Sequence, residues 1–320
     1  MKAIRVYTYG PPQVMRLEER PDPQPGAGQV VIEVQAIGVN PVDTYKRAGI
    51  FGYTAKMPYT PGVDAAGIVE AIGVEVTRVS IGDRVYCGGA ISGTYAQKAL
   101  CLESQLNLLP EHLTYAQGAA IAVPYTAAYR ALHDRARAKP REILLVHGGS
   151  GSVGLAAVQL GRAYDMIVIA TAGSAAGRRL LEKQGAYYSL DHHDPHHLDE
   201  VLDLTSHHGA DVILEMLADK NLGNDLRVAA KGGRVVIIGC RGLAEINPRD
   251  AMTRDLAIFG MSLRNCSNQN KARINDAILD GLSCFNLRPI IHYELPLEAA
   301  AQAHNLIIDS PSLGKIILLP

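Results

Sequence analysis

Ile143-Leu-Leu-Val-His-Gly-Gly-Ser-Gly-Ser-Val-Gly154 is the stretch on which the fold turns. Its first half belongs to an apolar run, residues 142–147, with no polar alternation. Continuous apolar strands are those buried on both faces, which means a parallel sheet. Its second half carries G-x-G-x-x-G at Gly149, Gly151 and Gly154 and opens a helix expected over 152–164. A glycine pattern alone is weak, but between a strand and a helix it reads as a dinucleotide loop. Gly149 is expected to permit the sharp turn, Gly151 to let backbone approach a pyrophosphate, and Gly154 to let the helix pack on the strand. The helix N-terminus then offers unbonded N–H groups and a positive dipole end to the anion.

Working outward, the same grammar repeats. Apolar strands are expected at 166–170, 211–214, 234–239 and 255–261, with a shorter, more polar one at 187–190. Helices are expected over 174–184, 196–206 and 220–230, and an amphipathic one over 270–282 with Ile274, Ala277, Ile278 and Leu282 on one face. Strand–helix alternation of this kind is a doubly wound α/β domain, expected over 124–266. Residues 1–123 read differently. Short β segments at 29–35, 67–72, 83–86 and 95–101 are broken by Pro- and Gly-rich turns such as PDPQPGAG (21–28), which points to a barrel-like or sandwich β domain. The last part of the chain, 267–320, is expected to return to this first domain.

Composition narrows the partners. Lys plus Arg (31) nearly balances Asp plus Glu (32), so no global field draws the chain to nucleic acid or to an anionic membrane. The apolar runs are far shorter than the roughly 20 residues a bilayer span needs, and the N-terminus alternates like a strand instead of forming a signal-peptide core. Five cysteines, an odd number with no C-x-x-C pair, argue for reduced thiols and a cytoplasmic protein, against a disulfide framework or a structural zinc lobe. Six histidines between His192 and His208 suggest metal binding, but they fall in a loop and a helix start instead of converging from packed elements, so a polar surface is expected there. No Ser/His/Asp order and no G-x-S-x-G supports nucleophilic catalysis.

Cofactor choice is read after the strand at 166–170. An NAD-selecting chain places a carboxylate there for the ribose 2′-hydroxyl. This one has Thr171-Ala-Gly-Ser-Ala-Ala-Gly-Arg-Arg179, with no acid before Glu182. A 2′-phosphate is therefore accommodated, with Ser174 or Arg178 as its expected contact, and NADPH is expected over NADH.

Several stretches resemble the zinc-independent quinone oxidoreductases (zeta-crystallin type) of the medium-chain dehydrogenase/reductase superfamily. They are GVNPVDTY (38–45), PYTPGVDAAGIVEAIG (58–73), GDRVY (82–86), QGAAIAVPYTAAYRAL (117–132), LVHGGSGSVGLAAVQL (145–160) and GGRVVIIGCRGLAEINPRD (232–250). The resemblance spans the chain in order. It implies an α/β fold made of a Rossmann doubly wound parallel-sheet domain plus a GroES-like β-rich domain, NADPH as cofactor, and a homodimer or homotetramer acting on a small quinone or enone. The zinc-dependent cousins carry a Cys and a G-H-E motif where this chain has Gly38-Val39-Asn40 and Gly62-Val63-Asp64, which implies chemistry without metal. Carried over residue by residue, the cofactor contacts are Tyr45 near the nicotinamide, and Ser150, Gly151, Ser152 and Val153 on the pyrophosphate. Gly173, Ser174 and His192 fall at the 2′-phosphate end and Asn221 on a ribose or the adenine. Ile238, Gly239, Cys240 and Arg241 fall at the nicotinamide-side strand end, and Met261, Ser262 and Leu263 on the carboxamide through backbone groups. Asn40 and Tyr45 are the expected catalytic residues, polarising a carbonyl. Two departures stand out. Gly177 replaces a Lys of several relatives, and Phe51 replaces a Tyr in the loop thought to border the substrate. Reduction of a 2-alkenal or enone is the alternative activity. An RNA-binding or lens-structural role, known for some such proteins, is disfavoured by the absence of a basic stretch.

Overall fold

The computed structural model describes residues 1–284 and 286–320. The chain divides into two compact units: Met1–Val123 with Pro289–Pro320, and Pro124–Arg288. The return to the first unit thus falls at 289, not at 267 as expected. The reason lies in the helix over 268–283. It buries Ile274, Ile278 and Leu282, and its Arg273 pairs with Asp134, both within the second unit.

The first unit begins with an antiparallel pair, β1 (Lys2–Val6) and β2 (Met15–Glu19). Then come β3 (Gln29–Gly38), α1 (Pro41–Ala48), β4 (Asp64–Ile72), β5 (Arg84–Gly88), β6 (Lys98–Leu102), β7 (Leu106–Leu108) and α2 (Tyr115–Gly118). The long β3 is bonded antiparallel to β4 and β6, and its residues Val30–Ile32 are buried without alternation.

Next, α3 (Ala122–Tyr129) leads into the second unit: β8 (Ile143–Val146), α4 (Ser152–Ala163), β9 (Ile167–Thr171), α5 (Ala175–Gln184), β10 (Tyr188–Leu190), α6 (His197–Leu204), β11 (Ala210–Glu215), α7 (Ala218–Val228), β12 (Ala229–Ile237), α8 (Pro248–Met252), β13 (Ala257–Gly260) and α9 (Asn268–Ser283). Its six strands run in the order β10-β9-β8-β11-β12-β13, and all five pairings are parallel. The order reverses between β8 and β11. Such a sheet binds ligands at that switch point, beyond the carboxyl ends of its strands. Leu145, Ile169, Ile213 and Val235, at the middle of four strands, share one core.

The chain then returns with β14 (Ile291–Pro296), α10 (Ala300–Asp309) and β15 (Lys315–Leu319). β15 pairs with both β14 and β3, completing a seven-stranded sheet. Leu297, Ala300 and Ala303 join Ile32, Val34 and Ile37 in its core.

α10 also carries His304, which is 1% exposed. Its Nε2 lies 3.0 Å from the Tyr95 hydroxyl and its Nδ1 3.4 Å from the Arg47 guanidinium. Burial, with the Arg47 charge adding to it, pushes His304 down to about 3. The unfolded chain takes up this proton below pH 6.5, whereas the native chain refuses it until about pH 3. Native stability is therefore present above pH 6.5 and is lost as pH falls. In chemical denaturation, His304→Gln should gain on the wild type by about 1.4 kcal/mol per pH unit between pH 6 and 4. A stability difference constant over that range would show that His304 is charged in the native chain.

Candidate active site

The glycine loop follows β8 and is stitched to the end of β9. Gly148 N–H donates to Thr171 Oγ1 (3.2 Å) and Gly149 N–H to the Thr171 carbonyl (2.8 Å). The turn itself is made by Gly148, whose φ is +58°, a left-handed backbone that costs glycine little. The expectation that Gly149 makes the turn is thereby corrected. Gly149 is instead small for packing, since a Cβ there would lie 2.9 Å from Leu181 and 3.1 Å from Ala170. At Gly154 a Cβ would come within 2.5 Å of the Gly148 carbonyl and 2.6 Å of Gly149 Cα. Helix and loop therefore touch backbone to backbone. Gly151 is the N-cap of α4 and gives it no side-chain cap. The first N–H groups of a helix have no partner within it, so Ser152, Val153 and Gly154 present donors beside Ser150. The residues fit a pyrophosphate.

The expected 2′-phosphate end is crowded by histidine. A Cβ on Gly173 would meet His193 Nε2 at 2.5 Å and His192 Nε2 at 2.6 Å. His192 is pulled below the usual imidazole range by burial and by neighbouring His193. Ser174 caps α5, its Oγ accepting from Gly177 N–H (3.1 Å), and the hydroxyl hydrogen is left to donate. Arg178 differs from expectation. Its guanidinium is engaged by Asp191 Oδ2 at 2.6 Å, so its charge is already matched within the chain.

At the other end, Ile238 and Gly239 donate their N–H groups to the Glu215 carbonyl (2.9 and 3.2 Å). Cys240 is exposed, with its thiol on the Gly242 carbonyl (3.1 Å). Arg241 N–H is held by Asp219 Oδ1 (2.7 Å). Met261 N–H donates to Ile237 O (3.0 Å), so Met261 can offer a ligand only its carbonyl. Ser262 caps the short turn Leu263–Asn265. Asn221 Nδ2 donates to Glu215 Oε1 (3.2 Å).

The two expected catalytic residues fare differently. Tyr45 is half-buried on α1 and packs edge-on to Phe51 (5.1 Å between centroids) and tilted to Tyr53 (6.1 Å). Phe51 is 52% exposed, so the cluster has an open aromatic face. Asn40, by contrast, is 2% exposed. Its Nδ2 donates to Asp64 Oδ2 (2.9 Å) and reaches the Gly38 carbonyl (3.4 Å), while its Oδ1 accepts from Lys315 Nζ (2.6 Å). With both ends of its amide engaged, Asn40 cannot polarise a substrate carbonyl, and that expectation is corrected. Lys315 (1% exposed) also donates to Asp64 Oδ2 (2.9 Å), and Asp64 Oδ1 accepts from Val123 N–H (3.2 Å). A buried ammonium thus links the two stretches, around Asn40 and Asp64, that replace the zinc-ligand motifs of the cousins. A groove of about 420 Å³ borders α1, lined by Lys46, Lys56, Tyr59, Gly89 and Ile91. Tyr45 is not among its lining residues.

Sequence reasoning missed two constellations. One is Lys315–Asn40–Asp64, whose signal was a lysine opening the apolar run 315–319. The other is His147, Glu215 and Asp225, all buried, whose signal was a carboxylate closing the apolar strand 210–215.

A parallel sheet in this strand order, with a bare helix N-terminus at its glycine loop and a β-rich partner unit, defines a nicotinamide-dependent oxidoreductase of the medium-chain type. Residues 26–128 match the alcohol dehydrogenase GroES-like domain and residues 152–278 the zinc-binding dehydrogenase family. The quinone oxidoreductase of Rattus norvegicus is 44% identical over 321 residues, covering 100% of this chain and 98% of the relative. That of Sus scrofa is 45% identical with the same coverage. Among solved structures, a mycobacterial protein complexed with NADPH superposes with a TM-score of 0.91 at 27% identity, over 100% of both chains. The chain belongs to the quinone oxidoreductase family of medium-chain dehydrogenases/reductases.

Proposed function

We propose that this chain reduces quinones with NADPH and without metal. The observation that carries the reading is the uncapped N-terminus of α4 on a glycine loop with no room for a side chain at Gly149 or Gly154, in a chain of this family. Bound NADPH supplies a hydride from nicotinamide C4. The protein's task is to hold two rings face to face and exclude water.

Ser150, Gly151, Ser152 and Val153 bind the pyrophosphate. Gly173, Ser174 and His192 border the 2′-phosphate, with the Ser174 hydroxyl as donor. Asn221 offers its Oδ1 to a ribose hydroxyl. Ile238, Gly239, Cys240 and Arg241 line the nicotinamide side, and Met261, Ser262 and Leu263 meet the carboxamide. With Asn40 committed inside the protein, Tyr45 is left as the donor to the quinone carbonyl, while the Phe51 and Tyr53 rings give the flat substrate an apolar surface. A quinone is a good hydride acceptor, so one neutral donor suffices.

Tyr45→Phe should lower kcat/KM for a naphthoquinone about tenfold, the loss of roughly 1.4 kcal/mol of transition-state binding. An unchanged value would remove Tyr45 from the chemistry. NADPH oxidation against a panel of quinones and 2-alkenals tests the activity. Quinones should turn over faster than alkenals, NADPH should be preferred over NADH, and a chelator should change nothing. Preference for alkenals would favour enone reduction instead.

No helix among the described residues is long and apolar enough to cross a membrane. We place the chain in the cytoplasm as a homodimer or homotetramer, a state that light scattering would read directly.

A further inference from the structure

Beneath the glycine loop three titratable side chains are packed together. His147 directly follows β8 and is 2% exposed; Glu215 ends β11 and Asp225 sits on α7, both at 0%. His147 Nε2 is 2.8 Å from Asp225 Oδ1 and 3.9 Å from Glu215 Oε2. Glu215 Oε1 accepts from Leu217 N–H and from Asn221 Nδ2. The two other carboxyl oxygens, Glu215 Oε2 and Asp225 Oδ2, are buried without a partner. A buried polar atom left unpaired costs about 1–3 kcal/mol, more when charged. One proton resolves both, because a carboxylic acid at one residue donates to the carboxylate of the other.

A divalent ion is the competing occupant. Ligand atoms about 2.1 Å from a tetrahedral zinc stand roughly 3.4 Å apart. The 2.8 Å between His147 and Asp225 is instead the length of an N–H···O hydrogen bond. Charge favours the proton too. An imidazolium, one carboxylate and one carboxylic acid sum to zero, and a neutral cluster is what a dry interior tolerates.

We propose that Glu215, held as the neutral acid by its dry surroundings and by Asp225, is a positioning residue for the dinucleotide. It fixes the Asn221 amide with Nδ2 inward, leaving Oδ1 for a ribose hydroxyl, and it keeps net negative charge away from beneath the phosphate loop. The inference rests on the NADPH reading above and extends it to residues that do not touch the cofactor.

Burial pushes Glu215 up to about 7, against the pull of the His147 charge. For His147 burial acts downward, but the carboxyls of Asp225 and Glu215 outweigh it and hold it above the usual imidazole range. Raising pH through about 7 strips the Glu215 proton and leaves an uncompensated anion under the cofactor's phosphates. Facing the cluster are Asn221 on α7, His197 on α6, with its ring edge-on to His147 at 6.4 Å, and His192 after β10, whose ionisation also senses His147 and His197. All remain in the variant Glu215→Gln, whose amide mimics the protonated acid by donating to Asp225 and accepting from Leu217 and Asn221.

The experiment measures dissociation constants for NADPH and NADH from nicotinamide fluorescence between pH 6 and 9. Using both cofactors separates the protein's response from titration of the 2′-phosphate. Wild type should weaken about tenfold toward pH 9, the effect of one added negative charge at an effective dielectric of about 20, whereas Glu215→Gln should stay within about twofold. Asn221→Ala, at a half-buried helix position, should bind both cofactors more weakly at every pH. Identical profiles for wild type and Glu215→Gln, an Asn221→Ala variant that binds as tightly as the wild type, or a Tm raised by added zinc would each overturn the inference. A wild type that binds neither cofactor would overturn the functional reading itself.

Discussion

Gly154→Val should abolish NADPH binding at concentrations that saturate the wild type. The added Cβ meets the Gly148 carbonyl at 2.5 Å and Gly149 Cα at 2.6 Å, and both are backbone, so no side chain can swing away. Either the first turn of α4 or the loop must shift. The loop is tied to Thr171 by two hydrogen bonds, so the shift falls on the N–H groups at the start of α4, which are proposed above to hold the pyrophosphate. Losing two charge-assisted hydrogen bonds at about 1.5–3 kcal/mol each weakens binding by roughly a hundredfold or more. Overpacking adds an unfolding penalty of about 1–3 kcal/mol, visible as a lower Tm without ligand. Fluorescence titration checks the first effect and a thermal scan the second. A variant that binds NADPH within threefold of wild type would show that the α4 N-terminus is not where the phosphates dock.

Lys315→Met should destabilise the first unit by about 3–5 kcal/mol, the cost of leaving a buried charge without its partner. Asp64 is fully buried and would keep only the Asn40 amide and the Val123 N–H as donors. Asn40 Oδ1 would lose its own donor at the same time. At about 2–4 °C per kcal/mol for a unit of this size, Tm falls by roughly 10 °C. Adding Asp64→Asn removes the stranded charge, and the double variant should recover part of the loss, which identifies the interaction as electrostatic. A single variant less than 1 kcal/mol from wild type would mean that the ammonium is dispensable there. Because Asn40 is the N-cap of α1, which carries Tyr45, the Tyr45, Phe51 and Tyr53 cluster should be disturbed too, and KM for a quinone should rise more than kcat falls.

Much of this protein is legible in one dimension. The strands 143–146, 167–171, 210–215 and 257–260, and the helices 152–163, 175–184, 197–204 and 218–228, lie within a few residues of where apolar runs and glycines place them, whereas the strand 229–237 starts five residues before the expected 234 and the short helix 248–252 was not expected. Burial on both faces leaves few polar residues to blur the signal. The loop was legible as a unit, though its glycines exchange roles: the left-handed residue is Gly148, one place before the motif begins. The first unit was harder. Its sheet is completed by β14 and β15 from the chain's other end, and no local pattern announces a pairing across more than two hundred residues.

The limits of local reading show most clearly at single side chains. Asn40 and Arg178 look available in the sequence because nothing nearby in the chain claims them. Their partners, Lys315 for one and Asp191 for the other, arrive only when strands are brought together. The same holds for His147, Glu215 and Asp225, which lie on three separate elements.

Periodicity and glycine spacing, being properties of neighbouring residues, were enough to establish a doubly wound sheet, a glycine bend that opens a helix and the absence of a carboxylate after β9. Which polar atoms stay open to a ligand was decided by folding alone. A buried hydrogen bond depends on a few tenths of an ångström between residues far apart in the chain, and that distance exists only once the core has closed around them.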